Sequence, residues 1–135
     1  MKKIYVVGSV NTDLVITTPY MPKAGETLTG SGFFVAHGGK GANQAVAAAR
    51  LGGKVVMCGL VGDDDFGKSA VKGFTEVGID VSHVRVVSGS PSGIAVIIIE
   101  NGDNRIILDK GANAELSEKN IDEALSDAKE GDIYL

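Results

Sequence analysis

The sequence predicts an α/β fold in which a parallel sheet alternates with helices and a small second β-sheet is added. Unbroken apolar runs, typical of buried strands, alternate with amphipathic or Ala-rich stretches that end in Gly. Two segments, residues 13–36 and 93–109, break this alternation because each holds a pair of strand-like runs with no helix between them. We therefore expect these two segments to pair into the second sheet, at one edge of the α/β layer.

The first half of the chain predicts three strands followed by a helix. Apolar or β-branched runs define the strands, and Gly and Pro residues mark the connections between them. The predicted strands are residues 4–7, 13–18 and 28–36, with a turn region at 20–27, a Gly-rich loop at 37–41 and a helix at 42–51.

The second half predicts further strands at 54–60, 84–87, 93–100 and 105–108, and the start of another at 132–135. Asn101-Gly102 lies between two of these runs and is typical of a hairpin turn. One helix is predicted at 64–77, with Phe66, Ala70 and Phe74 on its apolar face, and another begins at Ser117, with Ile121, Ala124, Leu125 and Ala128 on one face.

Composition excludes several classes of protein. Gly accounts for 19 of 135 residues, but there is no Gly-X-Y period and there are only three Pro, so the chain is not collagen. Hydrophobic residues make up 44%, which excludes wholesale disorder. The net charge is −4 and Lys2-Lys3 is the only basic run, so no nucleic-acid partner is expected.

The single cysteine points to a protein of a reducing compartment, and the positions of the histidines predict no metal site. Cys58 is the single cysteine, so an internal disulfide cannot form, and its apolar surroundings predict a buried strand position. His37 and His83 show no metal-ligand spacing to Cys58 or to carboxylates. No run is long enough for a signal peptide or a membrane span. A cytoplasmic protein that does not bind membranes is expected.

Residues Gly62–Ser69 match the Walker A pattern to the letter, and they lie between a predicted strand and a predicted helix. A P-loop works by turning backbone N–H groups toward polyphosphate, and the three Asp residues at 63–65 would repel that ligand. The same residues are favourable in the first turn of a helix, where the macrodipole is positive. We interpret this segment as a helix N-terminus with an acidic first turn.

A polar motif follows the first predicted strand. Asn11 and Asp13 are two residues apart, so in an extended segment their side chains face the same side. A carboxylate beside a carboxamide suits two neighbouring hydroxyl groups, because one group accepts hydrogen bonds and the other both donates and accepts. The alternative is an Asx-turn that ends the strand.

A second motif, His37–Gln44, opens the Ala-rich helix. Gly39-Lys40-Gly41 partly matches a dinucleotide-binding fingerprint, but Gln44 stands where Gly or Ala is required. Glycines let a ligand approach the backbone, and free N–H groups at a helix start can bind it together with Lys40 and Asn43. The alternative is a Gly-rich turn with a solvated Lys40.

Together these motifs resemble the ribokinase family of sugar and nucleoside kinases, the PfkB type. The likeness runs in order along the whole chain, and the Gly38–Ala48 stretch is its most specific part. The segments that carry it are residues 8–13, 22–27, 38–48, 59–64 with Gly67, and 111–113.

The resemblance implies a three-layer, doubly wound α/β body with a small β lid formed by residues 13–36 and 93–109. In this family the lid also mediates dimerisation, so a homodimer is expected. The substrate-binding positions implied for this chain are Asn11 and Asp13, which would hold sugar hydroxyls, Gly39, Lys40 and Asn43 at the helix start, and Ala95 and Ile97 as apolar lid contacts.

The resemblance also implies ATP-dependent phosphorylation of a small sugar, with D-ribose converted to ribose 5-phosphate as the expected reaction. Asp13 would accept a hydrogen bond and would not be the catalytic base. The family's Gly-Ala-Gly-Asp catalytic loop is absent from this sequence, and Gly111-Ala112-Asn113 does not replace it. Catalytic, nucleotide and metal residues are therefore not assigned in the chain.

ATP, Mg²⁺ and a monovalent cation such as K⁺ are expected to bind a C-terminal half that these residues do not include. The chain stops within an apolar run at 132–135, so we expect residues 1–135 to be the N-terminal portion of a longer kinase, inactive alone. Three alternatives stay open at this point: a kinase for fructose or a nucleoside, a stand-alone sugar-binding or dimerisation module, and a nucleotide-binding regulatory domain. The Asp-rich segment argues against the last.

Overall fold

A computed structural model describes residues 2–135. Within this range two four-stranded sheets are joined by helices and short connections. The elements in chain order are β1 (Lys3–Val7), β2 (Asn11–Thr17), β3 (Ser31–Gly38), α1 (Lys40–Arg50), β4 (Lys54–Gly62), α2 (Asp65–Glu76), β5 (Asp80–Val87), β6 (Gly93–Glu100), β7 (Asp103–Asp109), a 3₁₀ turn (Gly111–Glu115), α3 (Glu118–Leu125) and β8 (Ile133–Tyr134).

The first sheet is parallel throughout, with strand order β5-β4-β1-β8. One face packs against α1 and α2, where Val6, Met57 and Phe74 belong to a single apolar core. The other face carries Tyr5, whose hydroxyl donates to Asp127 Oδ1 at 2.9 Å, and Cys58, whose Sγ lies 3.7 Å from a carbonyl oxygen of α3. The sheet therefore lies between two helical layers, which confirms the predicted three-layer arrangement.

Burial on both faces explains why the central strands are unbroken apolar runs. Tyr5 and Val6 are both fully buried although they point to opposite sides of β1, and Met57 and Cys58 repeat this pattern on β4. Because both faces of such a strand are buried, apolar and polar residues do not alternate along it. The strand can therefore be predicted from its own few residues.

The second sheet has the order β3-β2-β6-β7 and mixes two antiparallel pairs with one parallel pair, β2 and β6. Its strands come from the two segments, 13–36 and 93–109, that interrupt the helix–strand alternation. The predicted second sheet is therefore confirmed. It is slightly larger than expected, because β2 begins at Asn11 and β3 continues to Gly38.

The predicted Gly-rich loop at 37–41 was wrong. β3 keeps its pairing with β2 through His37 and Gly38, and α1 begins at Lys40, so Gly39 alone connects the two elements. Gly39 makes this change of direction with a backbone φ of 96°, a value that residues other than glycine rarely adopt. The helix consequently starts two residues earlier than its Ala-rich pattern predicts.

Three other bounds also differ from the prediction. β5 starts at Asp80, four residues before the predicted strand, because it is an edge strand and an exposed edge tolerates polar residues. The hairpin loop is only Asn101-Gly102, whose φ values of 51° and 81° suit a two-residue type I′ turn. α3 ends at Leu125, so Ala128 lies in the turn beyond it rather than on the helix face.

Candidate functional site

One face of the second sheet presents Asn11 and Asp13 among very small neighbours. Asn11 pairs with Gly38 on one side and Gly93 on the other, and Asp13 pairs in the same way with Ala36 and Ala95. Residues in register share a face of a sheet, so no flanking side chain at these four positions is larger than a methyl group. The two polar side chains therefore lie at one end of β2 on a surface of small residues, called the floor below, which consists of Gly38, Gly93, Ala36 and Ala95.

Asp13 depends directly on the glycine at position 38. A Cβ atom added to Gly38 would lie 2.3 Å from Asp13 Oδ1 and 2.4 Å from Oδ2, so the carboxylate occupies the space that a side chain would need. Burial raises the pKa of the Asp13 carboxyl above its usual value. A partly desolvated carboxylate of this kind is ready to accept hydrogen bonds from a bound hydroxyl.

Asn11 is held by a residue 102 positions away. Its Oδ1 accepts a hydrogen bond from Asn113 Nδ2 at 2.8 Å. Asn113 also accepts from the Val10 N–H at 2.9 Å and donates to the Val10 carbonyl oxygen at 3.0 Å. The 3₁₀ turn thereby fixes both the start of β2 and the Asn11 side chain.

Asn113 is a residue of the site that the sequence reasoning missed. The segment Gly111-Ala112-Asn113 was recognised only as part of the family resemblance. A usable signal lies in Gly93, the glycine that begins the strand predicted at 93–100, since a glycine in a strand often marks a close approach of another group. A Cβ at Gly93 would lie 2.1 Å from Asn113 Nδ2 and 2.5 Å from Asn11 Oδ1, so this glycine lets the two amides meet.

The N-terminus of α1 adjoins this floor, since Gly38, the strand partner of Asn11, precedes the N-cap residue Gly39. Gly39 has no side chain to cap the helix. The start of α1 is fastened to the β1–β2 connection, because the Ala42 N–H donates to the Ser9 carbonyl oxygen at 3.0 Å and a Cβ at Gly41 would lie 2.7 Å from the backbone of Gly8.

Lys40 and Asn43 are both exposed in the first turn of α1. Within residues 2–135, Lys40 forms no ion pair. Its charge is therefore available at a helix end that already favours anions and polar groups.

The apolar candidates lie on β6. Ala95 is buried next to Asp13, and Ile97 is paired with Val15, two residues farther along the same face and about 7 Å away along the strand. The structure thus places Asn11, Asp13, Ala95 and Ile97 on one face of the second sheet, and Gly39, Lys40 and Asn43 at the adjoining start of α1. Their role in binding stays a prediction.

A cleft of about 450 Å³ lies beside this floor, between α1, α2 and the paired ends of β2 and β3. It shares only Asn11 and Asn43 with the seven predicted positions and is also lined by Gly38. The other predicted positions, Asp13, Gly39, Lys40, Ala95 and Ile97, do not line it. The cleft is thus an extension of the floor on the helical side, and the carboxylate lies outside it.

The segment that matches Walker A is a capped helix start. Asp64 is the N-cap residue of α2, and its Oδ1 accepts from the Gly67 N–H at 2.8 Å. Its carboxylate also accepts from the N–H and hydroxyl of Ser92. Burial acts to raise the pKa of Asp64, but these hydrogen bonds outweigh it and the pKa is lowered. The Asp64 carboxylate therefore takes the Gly67 N–H, one of the backbone donors that a P-loop would turn toward phosphate.

The described residues form neither a metal-binding cluster nor a membrane-spanning helix. Among residues 2–135, no group of three His, Cys, Asp or Glu side chains comes together in a way that could hold a metal ion. The helices in this range are all too short or too polar to cross a membrane.

Comparison with known proteins gives a consistent result. Residues 1–135 match the family described as pfkB family carbohydrate kinase. A ribokinase of Haemophilus influenzae is 44% identical over 135 residues, covering 99% of this chain and 44% of that protein. A deoxyribokinase of Salmonella typhi is 45% identical over 133 residues, covering 98% of this chain and 44% of that protein.

Solved structures show the same fold. The ribokinase of Arabidopsis thaliana complexed with ribose and ATP superposes with a TM-score of 0.82 and 33% identity, covering 94% of this chain and 43% of that one. The chain thus spans less than half the length of the relatives it matches.

Proposed function

Because the chain belongs to the pfkB family of carbohydrate kinases, we propose that the natural protein containing it transfers the terminal phosphate of ATP to a small sugar. D-ribose is the proposed acceptor and ribose 5-phosphate the product. The ribokinase relatives and the Arabidopsis thaliana structure complexed with ribose and ATP support this choice. Residues 2–135 supply the side of the site that holds the sugar.

The observation that carries the proposal is the pairing of Asn11 and Asp13 on one face of β2. Their four neighbours in register are Gly or Ala, so a flat polyhydroxy ligand can approach both side chains. The Asp13 carboxylate accepts no hydrogen bond from any residue in 2–135, and burial raises its pKa. A sugar hydroxyl would supply the missing donor, which favours binding since a partly buried carboxylate without partners is costly.

The other predicted positions have distinct roles. The backbone at Gly39 and the first turn of α1, with Lys40 and Asn43, would hold hydroxyls on the helical side. Ala95 and Ile97 would cover the apolar face of the sugar as the second sheet acts as a lid. Asp13 orients the sugar by accepting from its hydroxyl and is not the catalytic base, so the 5-hydroxyl stays free to meet the phosphate.

The nucleotide, Mg²⁺ and a monovalent cation are assigned to other residues of the natural protein. Residues 2–135 bring no three potential metal ligands together and do not fit a metal site. The base that accepts the 5-hydroxyl proton is likewise placed outside this range, since the sequence lacks the family's Gly-Ala-Gly-Asp loop.

A homodimer through the second sheet is part of the proposal. Leu14 follows Asp13 on β2 and therefore points to the opposite face of the sheet. It is in register with Val35 of β3 and Val96 of β6. Val96 is in turn in register with Ile107 of β7. Val35 and Ile107 are 52% and 68% exposed. An apolar row across all four strands is typical of an interaction surface. The cytoplasmic location stays a prediction.

The test is a coupled kinase assay on the natural protein with D-ribose and ATP, comparing the parent with Asp13→Ala. We expect the variant to raise the KM for ribose about tenfold or more, because it removes an acceptor of charge-assisted hydrogen bonds. Asp103→Ala, a carboxylate at the far end of the same sheet, is the matched control and should leave the KM unchanged. An unchanged KM in Asp13→Ala would refute the site assignment.

Two alternatives are tested by further measurements. A panel with 2-deoxyribose, fructose and a nucleoside tests the acceptor, and the deoxyribokinase relative makes 2-deoxyribose the nearest competitor. Isothermal titration of the 135-residue chain with ribose tests for a stand-alone sugar-binding module, which would bind tightly without hydrolysing ATP.

A further inference from the structure

The hydrogen bonds of Asn113 determine which end of the Asn11 side chain faces the ligand. The Val10 N–H can only donate, so the Asn113 atom that meets it at 2.9 Å must be Oδ1. The other end of the Asn113 amide lies 3.0 Å from each of two backbone carbonyl oxygens, those of Val10 and Lys110, which can only accept. Three backbone groups therefore assign the Asn113 amide, without any choice left open.

The orientation of Asn11 follows from that of Asn113. Asn113 Nδ2 is a donor, and the Asn11 atom 2.8 Å from it must accept, so that atom is Oδ1. Turning the Asn11 amide over would place two NH₂ groups against each other and lose this hydrogen bond. Asn11 is therefore fixed with its NH₂ group on the side away from Asn113.

The NH₂ group of Asn11 is left for a ligand. Within residues 2–135 it donates no hydrogen bond, and the only enclosed side-chain polar atom in this range without a partner is His83 Nδ1. Asn11 Nδ2 is thus reached by solvent although the residue as a whole is only 8% exposed. Two positions along β2, the Asp13 carboxylate can only accept. The floor presents one donor and one acceptor in a fixed order.

We propose that Asn113 is a positioning residue that locks the Asn11 carboxamide with its NH₂ group toward the sugar, so that Asn11 recognises a hydroxyl oxygen as a donor while Asp13 recognises a hydroxyl proton. This inference rests on the proposed function, because it assumes that Asn11 holds a sugar hydroxyl. Gly93 is required for this arrangement of Asn11 and Asn113, since only a residue without a side chain leaves room for the hydrogen bond between them.

The decisive variant is Asn113→Asp, which preserves size and keeps an acceptor for the Val10 N–H. It removes the donor to Asn11 Oδ1, and the new carboxylate attracts the Asn11 NH₂ group, which turns the amide over. The parent and variant are assayed as the natural protein against ribose and its monodeoxy analogues. In the parent, one deoxy analogue should lose about tenfold in kcat/KM relative to ribose, and Asn11→Ala should abolish that loss.

Asn113→Asp should also abolish the loss for that same analogue, although Asn11 is intact. The comparison is a ratio within one variant, so lower stability does not imitate the result. Asn120→Asp, the same change at the capping box of α3, should keep the parent's ratio. If Asn113→Asp keeps the ratio while Asn11→Ala loses it, Asn113 only supports the backbone and the proposal is overturned.

A measurement without sugar separates the two levels of inference. In natural protein labelled with ¹⁵N at asparagine, the Asn11 NH₂ protons should exchange rapidly with solvent in the parent and slowly in Asn113→Asp, where they would donate to the carboxylate. Equal exchange in both proteins would overturn the role of Asn113. Slowed exchange together with no sugar binding by the parent would instead overturn the proposed function and leave the orientation of Asn11 established.

Discussion

The carboxylate of Asp64 accepts two hydrogen bonds from Ser92, one from the backbone N–H at 2.8 Å and one from the hydroxyl at 2.6 Å. Ser92 Oγ in turn accepts from the Gly62 N–H at 2.9 Å. Asp64 begins α2 of the α/β body, and Ser92 directly precedes β6 of the second sheet. This pair therefore fastens the second sheet to the body at a buried point.

Asp64→Ala should lower the free energy of unfolding by about 2–3 kcal/mol, because it removes a helix cap and leaves Ser92 without its acceptor. Urea denaturation measures this difference. Since hydrogen bonding lowers the folded-state pKa of Asp64, its contribution is present above the unfolded value of 3.8 and is lost as pH falls through the folded-state pKa. The parent and variant should therefore converge in acid.

The control for this experiment is Asp63→Ala, a change to the neighbouring exposed carboxylate of the same acidic turn. It should change the free energy of unfolding by less than about 0.5 kcal/mol. Equal effects of the two substitutions would show that general charge at the α2 N-terminus, rather than the bond to Ser92, stabilises the protein.

Asp13→Asn should make the ligand-free protein more stable at neutral pH while weakening sugar binding. Burial raises the folded-state pKa of Asp13, so the ionised carboxylate destabilises the fold at pH values above that pKa. The stability difference should shrink as pH falls through the folded-state pKa and vanish below the unfolded value of 3.8. Thermal melts across pH, with and without ribose, measure both effects. A variant less stable than the parent at pH 7 would contradict the prediction.

Gly38→Ala should raise the KM for ribose about tenfold or more, because the new methyl group would lie 2.3 Å from Asp13 Oδ1 and must displace the carboxylate. Gly52→Ala is the comparison. Its Cβ would meet no atom within 4 Å, but its φ of 89° costs an alanine on the order of 1 kcal/mol. Gly52→Ala should thus reduce stability and spare the KM. A KM effect that merely follows stability in both variants would argue against the role of Gly38.

Ile107→Glu should dissociate the proposed dimer, because it places a charge in the apolar row that crosses the second sheet. Sedimentation velocity on the natural protein gives the mass of the parent and the variant. Leu51→Glu, at an 89% exposed position beyond α1, is the matched change and should leave the mass unaltered. A monomeric parent, or an unchanged dimer in Ile107→Glu, would remove the second sheet from the interface.

Structural features that depend on only a few neighbouring residues were predicted from the sequence. The apolar runs of β1 and β4, the Asn101-Gly102 turn and the Ser117 cap of α3 all form as expected, because backbone sterics and burial determine them locally. Asn11 and Asp13 share a face since β2 is extended, as their spacing predicts. The family resemblance implied roles for these two residues, which spacing alone could not, and those roles stay a prediction.

Contacts between distant residues were decided by the tertiary structure. The lengths of β3 and β5 depend on pairing with neighbouring strands, so the loop predicted at 37–41 was wrong and β5 was predicted too short. The Asp13–Gly38 and Asn11–Asn113 contacts exist only because strand register brings these residues together. A sequence pattern records which residues are polar or small, whereas register determines which of them meet, and that depends on packing of the whole chain.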